Sequence, residues 1–295
     1  MSYSITDFKK EGLRGSYLTT QNALKVIHDS IADFQGNDLE EFGQALNKLA
    51  RDLIKTYSNL VTLRKNATAV VYYLKRQVKA GKSLPEVKKY SLAKLNEILN
   101  QAATKKAAIG GYGAKLILNQ SKLMTLSYSS QLREIILKAH QLRRKFTVFI
   151  MESRPSLEGY TFAEELANLG IKTHIITDAA IGQFLPEMNM VITGADRIHE
   201  KALISKTGTL TLAVLAGLFK IPYYVAAETD KILREYEHAV RFYSQPSREV
   251  YVPKNKTIDV TNYYFDSVSL EYVSKIVCED GIFDIHEFKK WYLEE

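Results

Sequence analysis

The sequence has little of what marks a secreted or membrane-spanning protein. Only one cysteine, Cys278, occurs in 295 residues, which excludes an intrachain disulfide framework and favours a reducing compartment. The N-terminus lacks the apolar core of a signal peptide, so we expect the protein to be cytoplasmic. The longest apolar-rich run, 210–219, is about half a membrane span. It therefore predicts a buried helix and no membrane partner.

Cofactor signals are also scarce. The six histidines are scattered without ligand spacing, so we expect no metal. No glycine-rich dinucleotide loop and no Walker loop occurs, and we therefore expect no cofactor. Six prolines and 15 glycines leave little room for a disordered linker. What remains is the composition of an ordinary globular protein with an excess of positive charge.

That charge is concentrated in one stretch of the chain. The net charge is +7, and the stretch from residue 64 to residue 94 contains nine basic residues and a single acidic one, Glu86. Such patches attract anionic partners, for example RNA, a ribosomal surface or an acidic protein. A solvated helix face is the alternative, and no RNA-binding motif is present. Both interpretations stay open at this point.

The first part of the chain predicts helices. Apolar residues recur every three or four positions, as at Leu24, Ile27 and Ile31, which is the spacing of an amphipathic helix. A turn and a new helix start are predicted at 37–38, and another break at 80–85. The glycine-rich run 110–113 ends the pattern. We therefore predict an N-terminal helical domain, 1–110, followed by a second domain, 111–295.

In the second domain, short apolar runs alternate with helical ones. The pattern predicts strands at 122–126, 146–151, 173–177, 190–193 and 223–226, and helices at 130–139, 162–169 and 209–219. This alternation is typical of βαβ units, so the fold class is α/β with a Rossmann-like parallel sheet. Residues 257–295 are expected to pack on this sheet or in an oligomer interface. Cys278 is interpreted as a core residue on an apolar helical stretch.

A run of serines follows the first predicted strand. Residues 127–130 lead from that strand into a helix. Hydroxyls and backbone N–H groups at a helix start suit a phosphate, because the helix dipole favours an anion there. The alternative is that Ser129 or Ser130 caps its helix. From the residues alone the capping role is favoured, because it is the commoner use of serine.

Charged residues follow the later strands. Arg154 is placed to bind a phosphate through two nitrogens, with a surface ion pair as the alternative. Asp178 is interpreted as a helix N-cap. Asp196 is a carboxylate that, near a sugar, can act as a general base or accept hydrogen bonds from hydroxyls. Lys206 precedes the most apolar helix, and a lysine beside a helix N-terminus is another anion signal.

The order and spacing of six segments resemble one protein family over roughly residues 12 to 285. The segments are MTLSYSS (124–130), ESRPSLEG (152–159), ITDAAIG (176–182), ITGADRI (192–198), SKTGT (205–209) and VAAETDK (225–231). The family contains the alpha, beta and delta subunits of eukaryotic initiation factor 2B and their archaeal homologues. It also contains the isomerases of ribose-1,5-bisphosphate and methylthioribose-1-phosphate. The run Ser127–Ser129 is more similar to the alpha subunit than to either isomerase.

The resemblance implies catalytic positions. In the isomerases the position of Ser127 holds the catalytic cysteine, and that of Asp196 holds the catalytic aspartate. These two groups move protons during sugar ring opening and isomerisation. A serine hydroxyl is far less acidic than a thiol. The chain therefore resembles a family member that has kept the pocket and lost the reaction.

The resemblance also implies ligand-binding positions. They correspond here to Arg14, Gly15, Ser129, Arg154, Ser205, Lys206 and Lys231, with Arg64 in the place of a family arginine only if its loop shifts. Ser205 stands where the family usually has asparagine, and the turn at 199–201 is one residue short. These departures reshape the pocket wall and weaken the case for isomerase substrate recognition.

Together these features predict an archaeal-type protein similar to the alpha subunit of initiation factor 2B. We expect it to bind a sugar phosphate or nucleotide as a regulatory ligand in translation initiation, without catalysis. A homodimer or higher oligomer is expected, with the alpha subunit of initiation factor 2 or the ribosome as partner. The alternative is an aldose–ketose isomerase of a phosphorylated pentose such as ribose-1,5-bisphosphate, with Asp196 as base and Ser127 as weak acid. A scaffold with a vestigial pocket is the third hypothesis.

Overall fold

Two compact units make up the chain. The computed structural model describes residues 15–58, 60–233 and 244–294, and the packing of the backbone divides the chain between Lys105 and Lys106. The first unit is helical and the second is built on a sheet. The order predicted from the sequence, helices followed by a parallel α/β sheet, is therefore confirmed.

The N-terminal unit contains helices α1 (Ser16–Ala32), α2 (Leu39–Thr56), α3 (Val61–Lys79) and the first part of α4 (Leu84–Ala114). Their apolar stripes form one core, in which Leu24, Ile27 and Leu53 are fully buried. Asp38 caps α2 by accepting the N–H of Glu40 at 2.7 Å, as the turn at 37–38 predicts. The break at 80–85 is also confirmed, since α3 ends at Lys79 and α4 begins at Leu84.

The glycine run at 110–113 does not end a helix, contrary to the sequence-based expectation. Helix α4 continues through it to Ala114. The reason is close packing against the helix that follows the first strand. A Cβ atom on Gly113 would lie 2.4 Å from Cγ1 of Ile135, and one on Gly110 would lie 2.6 Å from Cγ of Glu134. These glycines give another helix room to approach.

The second unit contains a seven-stranded sheet of order β10-β9-β7-β4-β1-β2-β3. Its strands are β1 (Lys122–Leu126), β2 (Thr147–Met151), β3 (Lys172–Ile176), β4 (Met190–Gly194), β7 (Tyr223–Ala226), β9 (Lys275–Cys278) and β10 (Gly281–Asp284). All neighbours pair in parallel except β9 and β10. The five strands predicted from the sequence are therefore present, each shifted by at most one residue at either end.

Apolar cores cover both faces of this sheet. Along β1, Met124 and Leu126 belong to one core, and Leu123 belongs to the other. The connecting helices are α5 (Ser130–Gln141), α6 (Glu158–Asn168), α7 (Ile181–Phe184), α8 (Thr209–Leu218) and α9 (Ile285–Glu294). Strands buried on both faces read as continuous apolar runs, which is why the sequence identified the central strands.

The sequence did not predict a second, smaller sheet. Strands β5 (Arg197–Ile198), β6 (Ala202–Lys206) and β8 (Phe265–Ser269) form an antiparallel sheet of order β5-β6-β8. Residues 275–294 pack on the main sheet through β9, β10 and α9, in agreement with one of the two expectations for the C-terminus. Cys278 is buried as predicted, but it lies on β9 and not on a helix. No described helix has an apolar stretch long enough to cross a membrane.

Candidate functional site

The strand order predicts a ligand-binding crevice at one edge of the large sheet. The chain proceeds from β1 outward to β2 and β3, then returns to the other side of β1 as β4. In such sheets, ligands bind beyond the carboxyl ends of the strands where the direction of winding changes. Here that point lies between β1 and β4. Ser127 follows β1 and Asp196 lies two residues beyond β4, so both predicted catalytic positions lie at this edge.

Ser127 is held by the neighbouring loop. Its backbone has φ 60°, the left-handed region that non-glycine residues rarely adopt. Its N–H donates to Oγ of Ser153 at 2.6 Å, and its side-chain hydroxyl donates to the carboxylate of Glu158. Ser127 is 9% exposed. The hydroxyl at this predicted catalytic position is thus fixed as a hydrogen-bond donor to a carboxylate.

Glu158 also binds Lys206. Nζ of Lys206 lies 3.5 Å from Oε1 of Glu158, donates to Oγ of Ser156 at 2.7 Å and lies 4.9 Å from the ring centroid of Tyr264. The ammonium therefore has an anion, a hydroxyl and an aromatic face around it. Sequence analysis missed Glu158, although it belongs to the same motif as Arg154, because only its contact with Ser127 across the fold distinguishes it.

The start of α6 determines where Glu158 can lie. The next residue, Gly159, packs directly on the end of β2, where a Cβ atom would lie 2.0 Å from the carbonyl oxygen of Met151. Backbone atoms cannot move aside as a side chain can, so only glycine fits. This close approach brings the first turn of α6, and Glu158 with it, against the strand ends.

Asp178 has a different role from the predicted N-cap. It is the first residue of a 3₁₀ turn, and its carboxylate accepts the N–H groups of Ser153 and Arg154, both at 2.8 Å. Asp178 lies just after β3, and these two hydrogen bonds hold the loop that follows β2 in place. The guanidinium of Arg154 is exposed, and it forms no ion pair with any carboxylate of the described chain.

The loop after β4 carries Asp196. This residue is half-buried, and within the described residues its carboxylate accepts no hydrogen bond and forms no ion pair. Two predicted residues hold the backbone just before it. Ser205 Oγ donates to the Gly194 carbonyl at 3.0 Å, and Lys231 Nζ donates to the Ala195 carbonyl at 2.8 Å. Ser205 and Lys231 therefore position the Asp196 loop.

Ser129 caps α5, the role that the residues alone favour for it. Its Oγ accepts the N–H of Leu132 at 3.3 Å. The same oxygen lies against β4, where a Cβ atom on Gly194 would be 2.6 Å from it. Ser129 thus links the ends of β1 and β4 at the crevice.

A buried carboxylate that sequence analysis missed lies behind this edge. Glu228, which follows β7, is 2% exposed. Its carboxylate accepts a hydrogen bond from Nε2 of Gln131 at 2.8 Å. Burial raises its pKa above the ordinary value, and the nearby ammonium of Lys231 opposes the rise. Glu228 lies inside the segment 225–231, but only Lys231 of that segment was assigned a role, so sequence analysis did not single out Glu228.

Three predicted ligand residues belong to the N-terminal part of the chain. Arg14 lies outside the described residues. Gly15 precedes α1 with φ 78°, a conformation that suits glycine, and Arg64 lies on α3. The participation of these residues in ligand binding stays a prediction.

The single thiol is buried in the sheet. Cys278 lies on β9, and burial raises its pKa to about 11. Within the described ranges, no three His, Cys, Asp or Glu side chains gather as metal ligands do.

Comparison with known proteins identifies the family of the chain. The model of the initiation factor 2 subunit family matches residues 12–285. The ribose 1,5-bisphosphate isomerase of Archaeoglobus fulgidus is 30% identical over 248 residues, which cover 82% of this chain and 77% of that protein. A solved structure of translation initiation factor eIF-2B from Pyrococcus horikoshii superposes with a TM-score of 0.78 at 25% identity, covering 95% of this chain and 94% of that one.

A more distant structure has the same fold. The tetrameric complex of eIF2B beta and delta subunits from C. thermophilum matches with a TM-score of 0.68 at 16% identity, covering 96% of this chain and 90% of that chain. The match over residues 12–285 includes both units and every segment of the site described above. The chain belongs to the initiation factor 2 subunit family.

Proposed function

We propose that this protein binds a small phosphorylated ligand, a sugar phosphate or a nucleotide, without converting it. It would act as a cytoplasmic regulatory protein of translation initiation, with the alpha subunit of initiation factor 2 or the ribosome as partner. One observation carries the proposal. The family's catalytic thiol position is occupied by the Ser127 hydroxyl, which donates to Glu158.

The site retains groups suited to binding such a ligand. Asp196 has a carboxylate available to accept hydrogen bonds from sugar hydroxyls, and the exposed guanidinium of Arg154 can bind a phosphate through two nitrogens. Lys206 adds a positive charge beside them, although Glu158 already neutralises part of it. The charge at this edge therefore favours an anion that also carries hydroxyl groups.

This site lacks the thiol that acts as the acid in the isomerases. A thiol has an ordinary pKa of about 8.5 and can be tuned toward neutral pH, whereas a serine hydroxyl needs a strong adjacent base. The Ser127 hydroxyl also directs its proton at Glu158. Cys278 cannot substitute, because it is buried on β9 and its pKa is raised to about 11.

An aldose–ketose isomerase is the second candidate. It is favoured by the retained Asp196 and by the similarity to the Archaeoglobus fulgidus isomerase. In that case Asp196 would take a proton from the sugar carbon, and Ser127 would return one with Glu158 as its partner. A pentose bisphosphate would then be converted into a ketose product.

A thermal-shift screen with product analysis tests these candidates. The full chain is heated with ribose-1,5-bisphosphate or a nucleoside monophosphate, and any stabilising ligand is then incubated and analysed. Ligand at about 100 times its dissociation constant should stabilise by about 2.7 kcal/mol. We expect this shift without product. A ketose product would show that the protein is an isomerase, and no shift at millimolar ligand would favour a scaffold.

Matched variants locate the site. Arg154→Ala should remove the thermal shift, whereas Arg51→Ala, which removes an exposed arginine from α2, should leave it unchanged. Ser127→Cys restores the thiol and should create turnover that the natural chain lacks. Equal shifts in Arg154→Ala and Arg51→Ala would contradict the proposed site.

We further infer that the protein is a homodimer or higher oligomer. Helix α8 has no charged residue in Thr209–Leu218, and its outer face exposes Leu210, Val214 and Leu218. A helix that is apolar on every side is normally covered. A second copy is the occupant this surface fits, because an uncharged patch can meet itself across a two-fold axis without repulsion. The tetrameric relative supports such assembly.

A further inference from the structure

The basic stretch 64–94 separates into two groups. Lys82, two residues before α4, pairs with Glu86 at 3.3 Å, and Lys94 on α4 pairs with Glu97 at 2.9 Å. Lys88 donates to the carbonyls of Ala32 and Phe34 at 3.1 and 3.0 Å. These lysines have structural partners, so the interpretation as an ordinary helix surface suffices for them.

Helix α3 differs from α4 in its charges. Its 19 residues contain no acid, and Lys75, Arg76 and Lys79 are exposed. None of the three pairs with a carboxylate of the described chain. At 3.6 residues per turn, they lie on one face of the helix together with Lys65. The opposite face, which includes Leu63, Val70 and Leu74, is buried in the N-terminal core.

An aromatic ring lies in the middle of this basic face. Tyr72 is 64% exposed and stands three and four residues before Lys75 and Arg76, which places it beside both on the helix surface. A ring so exposed contributes little to the core. Its faces are available to a planar partner, flanked by cations that can bind phosphates.

We propose that this face of α3, formed by Lys65, Tyr72, Lys75, Arg76 and Lys79, binds single-stranded RNA. Bases stack on exposed aromatic rings, and backbone phosphates bind the neighbouring cations. An acidic protein surface would use the cations alone and leave the ring without a role. A duplex would keep its bases stacked inside. The stripe from Lys65 to Lys79 is about 21 Å long at 1.5 Å per residue, enough for a few nucleotides. This proposal is independent of the phosphate ligand site.

Fluorescence anisotropy of the full chain with a labelled oligouridylate of about ten nucleotides tests the proposal. Lys65 already has an interaction within the chain, so phosphate contacts are counted only at Lys75, Arg76 and Lys79. They predict a slope of log affinity against log salt of about −2, since each contact to a single strand contributes about −0.7. Affinity should therefore fall roughly 20-fold between about 50 and about 200 mM salt. No binding at the lower salt concentration would overturn the proposal.

The charge contribution is tested by a matched pair of double variants. K75E/R76E should weaken binding by at least about tenfold and reduce the slope to about −0.7. K254E/K256E makes the same change in net charge at two exposed lysines of the other unit, and it should leave binding nearly unchanged. Equal losses in both variants would mean that only net charge matters, and the assignment to α3 would be wrong.

The ring is tested in the same way. Tyr72→Ala should weaken binding at least about fivefold, which is the lower end of what stacking on one aromatic ring contributes. Tyr251→Ala removes a tyrosine of similar exposure, 53%, and should have no effect. If Tyr72→Ala binds like the natural chain and an oligoglutamate of equal charge competes as well as unlabelled RNA, the surface binds acidic proteins and the RNA proposal fails.

Discussion

Glu158 connects the two groups on which the candidate site depends. It accepts the hydroxyl of Ser127 and pairs with Lys206, and its side chain is 16% exposed. Replacing it with Gln removes the charge and leaves the Lys206 ammonium, which is only 10% exposed, without its anion. We expect Glu158→Gln to lower the free energy of unfolding by about 1–3 kcal/mol, measured by denaturant titration.

A phosphorylated ligand should compensate for that loss. If the ligand's phosphate binds near Lys206, it restores the missing negative charge, so the thermal shift should be larger in Glu158→Gln than in the natural chain. Glu187→Gln is the matched control, since it breaks the exposed Lys122–Glu187 pair at 2.8 Å, and exposed pairs contribute little. Similar ligand shifts in the natural chain and in Glu158→Gln would place the phosphate away from Lys206.

Glu228 should make stability depend on pH. Burial raises its pKa in the folded protein above the ordinary 4.5, so the folded state holds the proton more tightly than the unfolded state. The resulting stabilisation is present below 4.5 and is lost as the pH rises through the folded-state pKa. Glu228→Gln stays neutral throughout. Its free energy of unfolding, relative to the natural chain, should rise as the pH increases above about 4.5, and a difference independent of pH would refute this.

Sequence analysis identified a site residue when that residue followed a predicted strand or belonged to a segment that resembles the family. Ser127, Arg154 and Asp196 were identified this way, and the fold places them at one edge of the sheet. Asp178 was misinterpreted because its partners, the N–H groups of Ser153 and Arg154, lie on another strand connection. Contacts across the fold have no local signal, and Glu158 was missed for the same reason.

At the scale of elements, the glycines of α4 provide a direct test of helix packing. Gly111 and Gly113 both lie inside the helix, but a Cβ atom on Gly111 would meet nothing within 4 Å, whereas one on Gly113 would lie 2.4 Å from Ile135. Gly111→Ala should stabilise the protein by about 0.5–1 kcal/mol through helix propensity. Gly113→Ala should destabilise it by about 1–3 kcal/mol through overpacking. Thermal unfolding of both variants measures this, and equal effects would contradict the packing seen here.

The large sheet was predictable and the small one was not, for a physical reason. Each central strand is a short apolar run buried on both faces, and a helix follows it. The same alternation of strand and helix recurs along the chain. Strand β6 instead pairs with β8, about sixty residues later, with Ala202 opposite Ser269. Pairing over that distance depends on the rest of the fold. The sequence predicted that α4 ends at its glycines, because glycine usually breaks a helix. The packing against α5 that explains these glycines involves residues about twenty positions later, which local patterns do not reveal.

At the scale of the whole molecule, charge and apolar surface lie on different elements. The α3 face carries cations without acids, and the outer face of α8 carries apolar side chains without charge. An RNA partner and a second copy of the chain would therefore use different helices. Loss of RNA binding and loss of self-association should then be separable by variants, and this independence distinguishes the two proposals experimentally.

Self-association through α8 predicts a change in mass on one substitution. Leu218 is 70% exposed at the end of α8, and a lysine there would place a charge in the contact. Lysine is preferred to glutamate, because a cation near a helix C-terminus does not destabilise the helix. Sedimentation velocity should give at least twice the 33.5 kDa chain mass for the natural protein and the single-chain mass for Leu218→Lys.

Leu118→Lys is the control for that experiment, since Leu118 is 64% exposed and lies in the turn before β1. This variant makes the same chemical change on a surface without an apolar helix face, and it should sediment like the natural chain. If Leu218→Lys keeps the assembled mass, α8 is not the interface. If both variants dissociate, the added charge acts on the whole molecule and the apolar stripe of α8 has no special role.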